Sequence, residues 1–239
     1  PKFKDKIIHI ILEKDPENLI IKENLTAREK RINSINRIKN QRNYIKNFLN
    51  DFSPEDYIIH SDNDEIPNLE KFDFNSNSKK FIIFNQKIFY YKLNLSLPDL
   101  KWFGSKACKL KNLKSIDYLR SIKNRQYSFF RFDTLFSDNK HNSVEIVNSG
   151  GWHFSNLKTI ESLEKKYLND ENHAEYEIQN ISIEKIKDNV KRQVVPYNYE
   201  AKKDSDSRFN ETKLTKVDIE ELPKYLKKNI IKYKKWIID

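Results

Sequence analysis

The stretch Tyr57-Ile58-Ile59-His60-Ser61-Asp62-Asn63-Asp64-Glu65-Ile66-Pro67 limits the folds open to this chain more than any other. Its first half has the apolar, β-branched character of a strand, and the run stops at three carboxylates and a proline that cannot donate to a ladder. In an extended segment alternate side chains share a face, so Asp62 and Asp64 are expected to point the same way at the rim of a sheet. Two like charges so placed require a cation between them, and oxygen ligands favour magnesium or manganese. An acidic turn that merely caps a strand accounts for the same residues, and Asp-x-Asp alone is a weak motif.

The neighbouring segments set the expected topology. Lys6 to Leu12 is continuously apolar and β-branched apart from His9, which predicts a strand buried on both faces with His9 as a core histidine. Thr26-Ala27-Arg28-Glu29 has the form of a capping box. Ile32, Ile35, Ile38, Ile45, Phe48 and Leu49 follow at helical spacing, so a helix with one core-facing stripe and a basic opposite face is expected to reach Leu49. On the basic face Arg42 is the first candidate to reach a phosphate. Strand, helix, strand implies a crossover connection and parallel pairing in an α/β sheet, whose ligands sit beyond the carboxyl ends of the strands.

Further along, Leu69 to Phe72 reads as a short helix, and Phe81 to Leu95 carries the strongest sheet signal, as one bent strand or two. Trp102-Phe103-Gly104-Ser105 suits either a turn or a close backbone approach to a ligand. Helices are expected over Leu113 to Ile122, Leu157 to Leu168 and Ile183 to Val190, a strand or aromatic loop over Tyr127 to Phe136, and a polar loop over Pro196 to Asn210. The last helix starts at Leu222-Pro223, with Leu226, Ile230, Tyr233 and Ile237 inward and Lys224, Lys227, Lys228, Lys232, Lys234 and Lys235 outward. Its preferred role is a surface helix, residues 211–239, that closes the domain; the same pattern suits peripheral contact with an anionic membrane.

Two more polar stretches carry chemistry. Val144 to Val147 leads into Asn148-Ser149-Gly150-Gly151-Trp152-His153-Phe154-Ser155, which holds two of only three glycines. Gly150 and Gly151 let a ligand approach the backbone, Trp152 offers a flat face to a sugar or base, and His153 can ligate a metal or bind a phosphate; a buried Trp beside a turn is the plain alternative. Asp170-Glu171-Asn172-His173-Ala174-Glu175 is either a second site cluster or the charged start of a helix.

Bulk properties exclude several classes. The 239 residues, 37% hydrophobic and 13% aromatic, suffice for a substantial core in one domain. The net charge of +10 comes mostly from lysines scattered through a chain rich in Lys, Asn and Ile, so it supports anionic ligands in general rather than nucleic acid. Cys108 is the single cysteine and cannot form an internal disulfide, which makes a reducing, cytoplasmic setting the expectation. No apolar run approaches the roughly 18 residues of a membrane span, and no signal-peptide pattern opens the chain. The start at Pro1 and the absence of methionine read as a piece of a longer product.

Taken in order, Gln41-Arg42-Asn43 on the first helix, Ser61-Asp62-Asn63-Asp64-Glu65-Ile66-Pro67, Gly150-Gly151-Trp152-His153-Phe154-Ser155 and His173-Ala174-Glu175 resemble glycosyltransferase family seventeen, which includes the enzymes that add the bisecting N-acetylglucosamine of N-glycans. The resemblance covers almost the whole chain and implies a GT-A-like nucleotide-sugar transferase fold, a mixed central sheet flanked by helices. Family members begin with further strands, and the 1–239 domain is expected to start after them. It also implies inverting transfer from a UDP-sugar, UDP-N-acetylglucosamine in characterised members, to a glycan acceptor.

In that reading Asp62 and Asp64 hold manganese or magnesium, and His153 adds a ligand or a hydrogen bond to the diphosphate. Arg42, Gly150, Gly151, Trp152 and His173 surround the donor. Glu175 is the first candidate for the base that accepts the acceptor's proton, with Glu65 and Glu145 in reserve and Glu65 better suited to bracing the metal site. A non-catalytic module that binds carbohydrate or polyanions through its aromatics and lysines is the rival, and a hydrolase using the same carboxylates a third reading.

Overall fold

The structure is a computed structural model that describes residues 3–98, 100–134, 136–169, 182–196 and 210–238. It is mixed α/β, and a curled mixed sheet is organised on β3 (Phe81–Tyr90), a strand that is buried along nearly its whole length. On one side β3 pairs antiparallel with β5 (Trp102–Lys109), which pairs antiparallel with β1 (Tyr57–His60). On the other side it pairs parallel with β6 (Val144–Val147) over its first half and with β7 (Gly151–Ser155) over its second.

Beyond these, β2 (Glu65–Pro67) lies antiparallel to β7, while β4 (Leu95–Ser96) turns back on Phe89 and receives β10 (Thr215–Lys216). A separate ribbon pairs β8 (Val194–Val195) with β9 (Thr212–Lys213). Right-handed strand twist accumulates across such a sheet, and here the curl brings β2 back beside β5, so that the short Ser61–Asp64 connection joins two sides of the sheet.

Among the described residues, helices lie against the sheet in four groups. α1 (Ala27–Tyr44) starts on the full capping box of Thr26 and Glu29 and tightens into a 3-10 turn at Ile45–Phe48. α2 (Ile116–Ser121) buries Ile116 and Leu119 against Phe81, Ile83 and Cys108. Leu163 of α3 (Ile160–Asn169) and Ile186 of α4 (Ile183–Arg192) pack on Ile88, Tyr90 and Leu95. Each such side chain removed from water contributes about 1.5–3 kcal/mol. α5 (Lys224–Lys228) runs into a 3-10 stretch, Ile230–Trp236, and Leu226, Ile230, Tyr233 and Ile237 pack around Phe89 and Phe154. Among the described residues no helix is long and apolar enough to cross a membrane.

Several expectations change. Lys6 to Leu12 is not a buried strand: after a 3-10 turn at Lys4–Lys6 it makes no ladder, and Ile7, Ile8 and Ile11 are 66%, 70% and 64% exposed. His9 is likewise exposed rather than in the core. The expected parallel crossover into Tyr57–His60 is absent, because β1 takes an antiparallel partner, β5, which needs no crossover helix. Relieved of that duty, α1 lies half-exposed. Its one buried residue is Asn33, bonded to both backbone groups of Ile20, and none of the six stripe residues is buried.

Phe81 to Leu95 resolves into two strands joined by a turn with Tyr91 at φ 62°. The last helix is shorter than expected and breaks at Asn229. Residues 197–209 of the expected polar loop lie outside the described residues.

Ile83→Ala, in the buried centre of β3, is expected to lower unfolding free energy by about 2–5 kcal/mol, and Ile32→Ala on α1 by less than about 1 kcal/mol. Urea titration of the two variants checks this; equal losses would put α1 back in the core.

Candidate active site

β1 ends at His60, and the chain then turns rather than extends: the Asp62 carbonyl accepts a hydrogen bond from the Glu65 N–H at 3.0 Å. Asp62 and Asp64 therefore do not alternate along a strand, and each carboxylate has its own partners. Asp62 is held by Arg42 Nη2, 2.9 Å from both of its oxygens, and by Arg120 Nη2 at 3.1 Å. The two guanidinium groups arrive from different helices, Arg42 from the last turn of α1 and Arg120 from the end of α2. Asp64 faces His153 Nε2 at 3.3 Å, and its carbonyl accepts the Phe154 N–H at 2.8 Å, which ties the turn to β7. Asp62 and Asp64 keep about a third of their side-chain surface open, 33% and 32%.

Beneath them Glu65 has no exposed side-chain surface. Its carboxylate accepts from Trp102 Nε1 at 3.0 Å, from Arg120 Nη1 at 3.2 Å and from the Asp62 N–H at 3.1 Å. Gly104, inside β5, makes room for it: a Cβ there would stand 2.0 Å from Gln86 Oε1 and 2.8 Å from Glu65 Oε1. The close approach expected at Gly104 is thus made by the protein's own carboxylate. The Gly104 carbonyl also accepts from Arg120 at 2.6 Å. Trp102 then stacks on His153, ring centres 4.5 Å apart and planes 22° from parallel, which fixes the imidazole toward Asp64.

Electrostatics follow from this packing. Burial works against the charge on Asp64, but the hydrogen bond from His153 and the nearby positive charges outweigh it and leave its carboxyl below the ordinary value. Burial, with Arg120 and Arg42 nearby, draws His60 down to about 4 against the pull of Asp62. Burial and the Arg120 charge bring Lys106 to about 7. Its Nζ donates to the Arg120 carbonyl at 2.8 Å and to that of Ile122, capping the end of α2 and holding Arg120 in place.

The other expected residues are differently placed. Trp152 and His153 are successive residues of β7 and point to opposite faces. Trp152 donates to the Glu221 carbonyl at 2.6 Å and lines a separate cleft of about 590 Å³ with Lys87, Lys224 and Lys227. At Gly150 and Gly151 the chain's own backbone occupies the space a side chain would need: Gly151 has φ +136°, and a Cβ on it would lie 2.1 Å from the Ile66 carbonyl, while one on Gly150 would lie 2.5 Å from the Val147 carbonyl. Glu65, a reserve base, is occupied by its buried partners and out of a substrate's reach. Glu145 pairs with Ile82, six residues before the Ile88 that pairs with His153, about 20 Å away at the usual rise per residue. His173 and Glu175 lie outside the described residues.

Arg120, Trp102 and Lys106 are site residues that sequence reasoning did not select. Arg120 looked like one more cation on a short helix. Only the Gly104 position, flagged for close approach, pointed toward them.

Among the described residues no three His, Cys, Asp or Glu side chains gather as a metal-ligand group. Asp64 and His153 form a pair, one ionised carboxylate oxygen and one imidazole nitrogen. With the imidazole nitrogen deprotonated, such a mixed oxygen–nitrogen pair suits manganese better than magnesium, with the remaining ligands taken from phosphate and water. Comparison with known proteins finds no matching family model, no matching curated protein and no matching solved structure.

Removing Arg120 leaves a fully buried carboxylate unpaired. Arg120→Ala is expected to cost about 3–5 kcal/mol in urea unfolding, and adding Glu65→Gln to recover part of it. Strictly additive losses would show that the two do not act together.

The pH dependence has a definite sign. The unfolded histidine protonates near 6.5 and the buried His60 only near 4, so the unfolded state gains protons first as pH falls. Stability present at neutral pH is lost between about 6.5 and 4. Between pH 7 and pH 5 this amounts to about 2 kcal/mol, and His60→Gln is expected to remove it, as urea midpoints at the two pH values will show.

Proposed function

We propose that the chain is an inverting, metal-dependent glycosyltransferase that moves a sugar, N-acetylglucosamine first among the candidates, from a UDP donor to a glycan hydroxyl. The observation that carries this reading is the Asp64–His153 pair, 3.3 Å apart and next to the two arginines on Asp62. A GT-A-like identity for the curled mixed sheet belongs to the same proposal. Asp64 and His153 would hold the cation, with Asp62 beside it, and Glu65 and Trp102 would brace the turn and the imidazole. Held by these residues, manganese or magnesium would supply positive charge to offset the negative charge on a diphosphate leaving group.

The chain's own groups do the rest. Arg42 and Arg120 present guanidinium donors, geometrically matched to phosphate oxygens, at a partly open rim. Single-step inversion requires the acceptor hydroxyl to attack opposite the leaving group while a carboxylate takes its proton. Burial removes Glu65 from that role and distance removes Glu145, which leaves Glu175 as the residue assigned to it.

Thermal unfolding with UDP, with manganese and with both is the test. The pair together is expected to stabilise the chain by more than the sum of the two alone, up to about 3 kcal/mol at a hundredfold excess over Kd, and Asp64→Asn and His153→Ala to lose that joint effect while remaining folded. Stabilisation by any polyanion, abolished by salt and indifferent to manganese, would instead establish the binding-module reading.

A further inference from the structure

The loop between α2 and β6 carries four phenylalanines that the fold leaves uncovered: Phe129, Phe130, Phe132 and Phe136 are 81%, 85%, 77% and 92% exposed. None belongs to a core cluster, and Phe129 and Phe130 meet each other edge-on at 6.2 Å. The described residues of the loop nevertheless have a defined shape. Its base is closed by the Lys123 N–H on the Asn139 carbonyl at 2.8 Å and the Tyr127 N–H on the His141 carbonyl at 3.2 Å. Its tip is turned by the Arg131 N–H on the Ser128 carbonyl and the Thr134 N–H on the Arg131 carbonyl, both 3.1 Å.

Charge is sorted on the same loop. Arg125 and Arg131 lie over the Tyr127 ring at 4.5 and 5.3 Å, and Lys123 and Lys140 flank the base of the loop, where the Lys123 N–H bonds the Asn139 carbonyl. Asp133 is neutralised by Arg131 at 2.7 Å and Lys140 at 2.9 Å, and Asp138 by Lys114 at 3.1 Å. An aromatic tip above a cationic collar matches one environment closely, the boundary of an anionic bilayer, where apolar chains lie just beneath negative headgroups. The lysine-rich C-terminal segment is less suited to this role: Leu226, Ile230, Tyr233 and Ile237 are packed around Phe89 and Phe154, which leaves Ile231 and Tyr225 as its exposed large apolar side chains among the described residues.

We propose that this loop docks the protein on anionic membranes by seating its phenylalanines in the headgroup region. The full chain is expected to float with phosphatidylglycerol vesicles and to bind phosphatidylcholine vesicles at least tenfold more weakly. Replacing the four phenylalanines by serine is expected to reduce phosphatidylglycerol binding at least tenfold with an unchanged circular dichroism spectrum, because the rings support no core. In parallel, Phe130→Cys carrying an environment-sensitive dye is expected to shift to shorter wavelength on the vesicles; Cys108 is buried and will not compete for the label.

Equal vesicle binding by the serine variant, or no spectral shift, would overturn the proposal and assign any membrane affinity to lysines alone. Equal binding to both lipids would overturn the role of the collar. Absence of vesicle binding, with self-association lost in the serine variant, would make the loop a contact between copies instead.

Discussion

A carboxylate with no exposed surface has to be matched by a cation in fixed geometry, and the Glu65–Arg120 pair sets the conditions for the rest of the site. Arg120 can reach Glu65 only because α2 ends where Lys106 caps it, and Glu65 can lie against β5 only because position 104 has no side chain. The same guanidinium also holds Asp62 and the Gly104 carbonyl. One cation therefore ties the β1–β2 turn, a helix end and the middle of a strand together.

Curl in the sheet gives that pair its setting. Were the sheet flat, β2 would lie well away from β5, and Glu65 would not meet Trp102. With β2 folded back, the Asp62–Asp64 turn sits over a buried polar floor, and His153 is fixed from one side by the Trp102 ring and from the other by Asp64. The acid–imidazole pair is thus held partly open, with two guanidinium groups beside it on Asp62. The aromatic loop that follows α2 belongs to the same stretch of chain. It joins the element that carries Arg120 to an exposed apolar tip.

Much of the secondary structure was legible from the residues themselves. The capping box at Thr26, the sheet-forming run from Phe81 and the periodic helices near Ile160 and Ile183 rest on local chemistry, and local chemistry is what a linear pattern reports. Errors arose where the decision was not local. Lys6 to Leu12 has the composition of a buried strand and lacks a partner among the described residues. The isoleucine stripe of α1 has the right spacing, but the helix packs too shallowly to bury it.

What the sequence determined by itself was the set of charged and glycine positions at which something unusual had to happen: the acidic turn after His60, the glycine inside β5 and the Gly-Trp-His run. Which of those residues meet was decided by the tertiary structure. Alternation along β7 separates Trp152 from His153 although they are adjacent in the chain, while sheet curl joins Glu65 to Trp102 and Arg120 across 37 and 55 residues. The physical reason is that a strand's period of two follows from covalent geometry, whereas the pairing of a buried charge depends on which distant cation the folded chain brings within 3–4 Å of it.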